Sequence, residues 1–184
     1  MEAVFFDVGG TLLGARPSVG HVYAEVLSRF GRTVDPEALE PRFQLRWAEA
    51  TAGMPAGEDR FSRDAGGARG FWRRLLDAMM ADVAPGAPLR DDEFEAVYDA
   101  FRHPGRYAVY PDVRPTLDAL ASTGIVMGVI SNWDARLPPL LDELDLARYF
   151  KVRVISGIER VEKPSPRAFE LACARAGVAA AGAL

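Results

Sequence analysis

Residues 3–12 read Ala3-Val4-Phe5-Phe6-Asp7-Val8-Gly9-Gly10-Thr11-Leu12. Four apolar residues stop at an acid and are followed by two glycines, the pattern of a buried strand that ends in a tight turn. Such a strand delivers the Asp7 carboxylate to its C-terminal end. Glycines beside it allow backbone N–H groups to approach an anion, which suits a carboxylate nucleophile for phosphoryl or alkyl transfer. Taken alone, the same residues also fit a plain turn closed by an Asx hydrogen bond.

The texture downstream of Pro111 decides which sheet this strand joins. A helix over Val113–Ser122 is ended by Gly124, an apolar strand Ile125–Ile130 stops at Ser131-Asn132, and a helix follows from Leu137 to Leu146. Val152–Ile155 is the next strand, then comes a loop with Lys163-Pro164 and a helix Pro166–Ala176 that Gly177 can cap. Strands alternating with helices of this length imply right-handed crossovers and a parallel sheet. Asp7, Ser131 and Lys163 then all lie beyond carboxyl ends of strands, the edge at which such sheets bind ligands. Each has a plainer reading alone, Ser131-Asn132 as a helix N-cap and Lys163 as a solvated loop cation.

Between Pro17 and Phe101 the periodicity is helical. Val19, Val22, Tyr23, Val26, Leu27 and Phe30 form one stripe, Phe94, Val97, Tyr98 and Phe101 another, and Phe43–Ala50 and Phe71–Met80 also read as helices. The segment Gly53–Gly67 reads as a loop. Trp47, Arg46, Phe71 and Trp72 are candidates for substrate contact whose simpler roles are packing and solvated surface. Asp134 and Arg136 are expected to pair with each other or to cap a helix.

The chain has 184 residues, 49% of them hydrophobic, enough for one domain or a domain with a modest insertion. A net charge of −4 with scattered basic residues leaves no face for a phosphate backbone, so no nucleic-acid partner is expected. The single Cys173 excludes an internal disulfide and fits a reducing, cytoplasmic compartment. A start at Met1-Glu2-Ala3 without a basic leader, and apolar runs shorter than a membrane span, argue against secretion and membrane insertion. His21 and His103 have no acid at ligand spacing, so a His metal site is not expected.

Three motifs in this order, Phe5 to Leu12, Val129-Ile130-Ser131-Asn132, and Glu162-Lys163-Pro164, resemble the haloacid dehalogenase superfamily over the whole chain. The stretch Ser131 to Leu137 is similar to the subgroup called haloacid dehalogenase-like hydrolase domain-containing protein 3. The resemblance implies a Rossmann-like parallel α/β core formed by residues 1–14 and 108–184, with an all-helical cap, residues 15–107, inserted after the first motif. It implies Asp7 as nucleophile, Ser131 as hydrogen-bond donor to the transferred group and Lys163 as charge neutraliser. It further implies substrate contacts from Gly10, Thr11 and Asn132, and a magnesium ion held by Asp7 and the Gly9 carbonyl.

The sequence departs from that pattern twice. Phosphatases of the superfamily carry a second Asp, the general acid and base, at the position of Gly9, and positioned proton transfer is typically worth about 10²–10⁴-fold in rate. The chain also stops at Gly177 to Leu184, where the family enters a fourth strand and an acidic fourth motif, so the core's C-terminal strand is expected to be missing. Its absence is expected to leave the Asp7 strand as a bare apolar edge open to aggregation or self-association, so that either the sequence is a truncated or frameshifted product or a partner supplies the edge. The leading expectation is therefore an impaired magnesium-dependent phosphatase of small phosphate esters. A haloacid dehalogenase, which needs neither the second Asp nor a metal, is the alternative enzyme, with Arg16 as a guess for its halide-binding Arg. An inactive fragment or interaction module is the non-enzymatic alternative.

Overall fold

The computed structural model describes residues 1–52 and 58–184, so part of the loop read at Gly53–Gly67 lies outside the described residues. In chain order the elements are β1 (Ala3–Phe6), β2 (Leu13–Ala15), α1 (Val19–Ser28), α2 (Pro36–Thr51), α3 (Gly67–Val83), α4 (Asp91–Ala100), β3 (Tyr107–Val109), α5 (Val113–Ala121), β4 (Val126–Ser131), α6 (Leu137–Glu143), β5 (Val152–Ile155), α7 (Ser156–Glu159) and α8 (Pro166–Ala176). They divide into two compact units. Among the described residues, the first unit holds 1–14, 58–63 and 109–184, and the second holds 15–52 and 64–108.

The first unit is built on a three-stranded sheet of order β1-β4-β5. Both pairings are parallel, with Phe5 opposite Gly128 and Ser131 opposite Ile155. From Met127 to Ser131 every residue of β4 is buried, as expected of a strand covered on both faces. Ile130, Val152 and Val154 pack with Ala168 and Ala172 of α8, while Met127 and Val129, pointing the other way by strand alternation, are buried as well. Gly128 is required where it stands. A Cβ there would lie 2.8 Å from the Val152 carbonyl oxygen and 2.9 Å from the Phe5 ring.

The β1 edge differs from the expectation of a bare strand. Residues 182–184 run alongside it: Glu2 N–H donates to Gly182 O at 2.7 Å, Leu184 N–H to Ala3 O at 3.1 Å, and Phe5 N–H to Leu184 O at 2.8 Å. Ala3 and Ala183 form a parallel bridge. A 3-10 turn over Ala180–Gly182 aims the chain back at the sheet, a course that hydropathy could not reveal in an Ala- and Gly-rich tail. The first half of β1 is thereby covered.

The second unit is helical. Ser18 caps α1 by accepting the His21 N–H, and Asp35 caps α2 by accepting the Glu37 N–H ahead of Pro36 at the first turn. The apolar stripes meet in a core of Val22, Tyr23, Val26, Leu27, Leu39, Leu76, Met79, Phe94 and Val97. Trp47 stacks on Phe43 and Trp72, with Phe71 edge-on to both tryptophans, and Arg46 is held by Asp82 and Glu49. These residues have packing and surface roles within this unit. His21 bonds the Ser18 hydroxyl at 3.1 Å, and the Arg16 N–H donates to the Arg106 carbonyl.

No helix among the described residues is long and apolar enough to cross a membrane.

Candidate active site

β1 ends one residue before Asp7, and the turn that follows is anchored on Val8. Val8 is fully buried, and its carbonyl accepts the N–H groups of Thr11, Leu12 and Leu13 at 3.2, 2.8 and 3.1 Å. Gly10 adopts φ 79°, in the left-handed region that glycine tolerates best. The turn leaves Gly9, Gly10 and Thr11 exposed at the carboxyl edge of the sheet.

Lys163 reaches this edge from the loop beyond α7, and its Nζ lies 2.8 Å from Asp7 Oδ1. Neither group is deeply buried, with side-chain exposures of 23% for Lys163 and 42% for Asp7, so both remain reachable by a small ligand. Ser131, the last residue of β4, is buried. Asn132, the residue after it, bonds the backbone of Lys163. Its side-chain amide accepts the Lys163 N–H at 2.8 Å and donates to the Lys163 carbonyl at 2.9 Å. The two loops are thus clamped together by one side chain that mimics a strand pairing.

Two buried ion pairs support the loops. After β4, Arg136 donates from Nη2 to Asp134 Oδ2 at 2.6 Å and from Nε and its backbone N–H to Oδ1, both at 2.9 Å. Before Lys163, Glu162 accepts from Arg60 Nε at 2.9 Å, Arg60 Nη2 at 3.2 Å and the Arg60 N–H at 3.1 Å. Trp133 carries contacts in two directions. Its carbonyl accepts from the Ser156 hydroxyl and the Gly157 N–H, tying the loop after β4 to α7. Its ring lies beside Gly9, where an added Cβ would sit 3.4 Å from Cζ3.

The sequence reading missed the Trp133 ring and the Arg60–Glu162 pair. Asp59-Arg60-Phe61-Ser62 does carry a local signal, an acid three residues before a serine. Asp59 Oδ1 accepts the N–H groups of Phe61 and Ser62, and Oδ2 accepts the Ser62 hydroxyl. The partner of Arg60, 102 residues away, leaves no local trace. The pairing expected of Asp134 with Arg136 is present.

A parallel α/β sheet whose first strand ends in a lysine-paired carboxylate, with a serine at the end of the adjacent strand, defines an α/β protein with a candidate nucleophile at its carboxyl edge. Residues 1–183 match the haloacid dehalogenase-like hydrolases, and the chain belongs to that family. It is 31% identical over 179 residues to haloacid dehalogenase-like hydrolase domain-containing protein 3 of Danio rerio, covering 96% of this chain and 72% of that protein. To phosphoglycolate phosphatase 1 of Pseudomonas aeruginosa it is 30% identical over 184 residues, covering 95% of this chain and 58% of the relative. The human haloacid dehalogenase-like hydrolase domain-containing protein 3 is 30% identical and is spanned over 65% of its length. The fold is that of a putative β-phosphoglucomutase from Thermotoga maritima, at TM-score 0.73 and 23% identity, with 100% of this chain and 74% of that chain covered.

Phosphatases of this family generally use magnesium. The candidate donors here are the Asp7 carboxylate and the Gly9 carbonyl, and among the described residues no group of three His, Cys, Asp or Glu side chains is arranged to hold a metal. Magnesium accepts one or two carboxylates when waters and substrate phosphate complete its shell. One carboxylate and one backbone carbonyl are compatible with the chemistry of that ion only where waters and substrate oxygens complete the shell.

Proposed function

We propose that this chain hydrolyses small phosphate esters through an aspartyl-phosphate on Asp7, at a rate reduced by the absence of an acid at Gly9. The observation that carries this reading is the 2.8 Å pair between Lys163 Nζ and Asp7 Oδ1 at the strand-end turn. A carboxylate oxygen of Asp7 attacks phosphorus and the bond to the ester oxygen breaks, leaving an alkoxide that must take its proton from water. Water then attacks phosphorus, the acyl-phosphate bond breaks at the Asp7 oxygen, and the carboxylate is regenerated as phosphate leaves. Lys163 holds the nucleophile in place and offsets the charge that gathers on the phosphoryl oxygens, and the Ser131 hydroxyl donates to one of them. Magnesium held by Asp7 and the Gly9 carbonyl would, when bound, supply further neutralisation of those oxygens.

A second reading has one observation in its favour. Haloacid dehalogenases lack the second Asp and carry an aromatic residue in its place, and here the Trp133 ring lies against Gly9. In that chemistry Asp7 displaces halide from carbon, and water then opens the resulting ester.

The test is turnover of a chromogenic phosphate ester with magnesium and with chelator, beside halide release from a 2-haloacid, for the native chain and Asp7→Asn. Magnesium-dependent ester hydrolysis that disappears in Asp7→Asn supports the proposal. Halide release in chelator supports the second reading, and activity that survives Asp7→Asn contradicts both.

A further inference from the structure

The segment 58–63 lies in the sequence between two helices of the helical unit, yet it belongs to the sheet unit, where it meets the loop that carries Lys163. The contact is built rather than incidental. Asp59 is fully buried and closes the turn, and Phe61, 3% exposed, packs where a Cβ on Gly157 would lie 3.0 Å from its ring. Arg60 and Glu162 form a forked pair of two guanidinium nitrogens on two carboxylate oxygens, with side-chain exposures of 7% and 8%. Withdrawing both charges from water is costly, so such a pair is weak evidence for a gain in stability and asks for a positional reason. Geometry supplies one, because a forked pair fixes direction as well as distance.

Glu162 is the residue before Lys163, and its carbonyl accepts the Ser165 N–H at 2.9 Å. Fixing its side chain fixes the start of the peptide from which the Lys163 side chain leaves. The Asn132 amide fixes the same peptide from the other side. We propose that Arg60 is a positioning residue for Lys163, acting through Glu162, and that the site is assembled from four chain segments, the fourth being 58–63. This deepens the hydrolase reading, since it takes the Asp7–Lys163 pair as the working pair, but its test requires no turnover.

The sequence contains two lysines, Lys163 and the exposed Lys151, so amine acylation read by peptide mass spectrometry has an internal standard. In the native chain the ion pair with Asp7 slows labelling of Lys163 relative to Lys151. Arg60→Met and Arg60→Lys are both expected to raise the Lys163-to-Lys151 ratio several-fold, because neither restores the fork. The double variant Arg60→Met/Glu162→Met leaves no unpaired charge behind; it keeps the fold by circular dichroism yet shows the same raised ratio. That variant carries the test should Arg60→Met alone fail to fold. A folded double variant with the native ratio overturns the proposal. Asp7→Asn separates the two claims: a raised ratio there with a native ratio in the Arg60 variants refutes positioning by Arg60 alone, whereas a native ratio in Asp7→Asn removes the working pair on which the hydrolase reading rests.

Discussion

Removing the Arg136 guanidinium isolates the energetics of the loop that holds Ser131 and Trp133. Arg136→Met keeps most of the apolar stem but takes away the Nε and Nη2 donors to Asp134, whose side chain is 2% exposed. The carboxylate is left with the Arg136 backbone N–H among those donors, inside a site with little water to replace the rest. Breaking a buried pair from one side costs about 3–5 kcal/mol. A protein of this size loses about 2–4 °C of melting temperature per kcal/mol, so the melt should fall by roughly 6–20 °C. The assay is a thermal melt and a denaturant melt, with hydrogen exchange of the β4 and β5 peptides to assign the loss to the sheet unit. Asp134→Leu/Arg136→Met should recover the larger part, since it leaves no buried charge alone. A single variant that loses less than about 1 kcal/mol, or a double variant that loses as much as the single, would refute the reasoning.

Gly9→Asp should raise phosphate-ester turnover by about 10²–10⁴-fold by restoring positioned proton transfer. Its Cβ fits 3.4 Å from the Trp133 ring and Gly9 lies outside the left-handed region, so a flat rate even with Trp133→Leu added would reject the general-acid explanation. Gly128→Val should destabilise the sheet unit by about 1–3 kcal/mol in a urea melt, because the new side chain meets the Val152 carbonyl and the Phe5 ring. In the helical unit the Arg106 guanidinium, with a smaller contribution from Arg29, lowers the Glu25 carboxyl to about 2 although the group is largely exposed. A lowered value stabilises the fold above the ordinary carboxylate range and loses that contribution as pH falls from about 4.5 toward 2. Acid melts of Glu25→Gln should therefore show a shallower loss across that window than the native chain.

Much of the sheet was legible because its signals are local. Val152–Ile155 and Pro166–Ala176 have the bounds that periodicity and punctuation imply, and Gly177 closes α8 at φ 72°. β2, β3 and α7 were not legible, since three or four residues are too few to show a period. At the site the sequence marked Asp7, Ser131 and Lys163 through motif order, and the structure brings Asp7 and Lys163 together. It could not mark how loops support one another. The exchange between Asn132 and the Lys163 peptide, the Trp133 ring on Gly9 and the Arg60 fork on Glu162 all join segments far apart in the chain. Such contacts depend on how the loops meet in space, and hydropathy does not encode that. The pairing of residues 182–184 along β1 escaped for the same reason, with backbone groups making the bonds and small side chains giving no pattern.

The central claim is that Asp7 is the nucleophile and carries the phosphoryl group. A single turnover of a phosphate ester in heavy-oxygen water, with enzyme in excess and acid quenching through its course, reports it through phosphate trapped on the Asp7 peptide together with the destination of the label. The account predicts a transient phosphorylated Asp7 peptide, heavy oxygen in the released phosphate, none in the Asp7 carboxylate, and no turnover in Asp7→Asn. Turnover without a phosphorylated Asp7 peptide at any quench time would mean that water attacks the ester directly, and heavy oxygen in the Asp7 carboxylate would mean that water attacks the carboxyl carbon; either result contradicts the account.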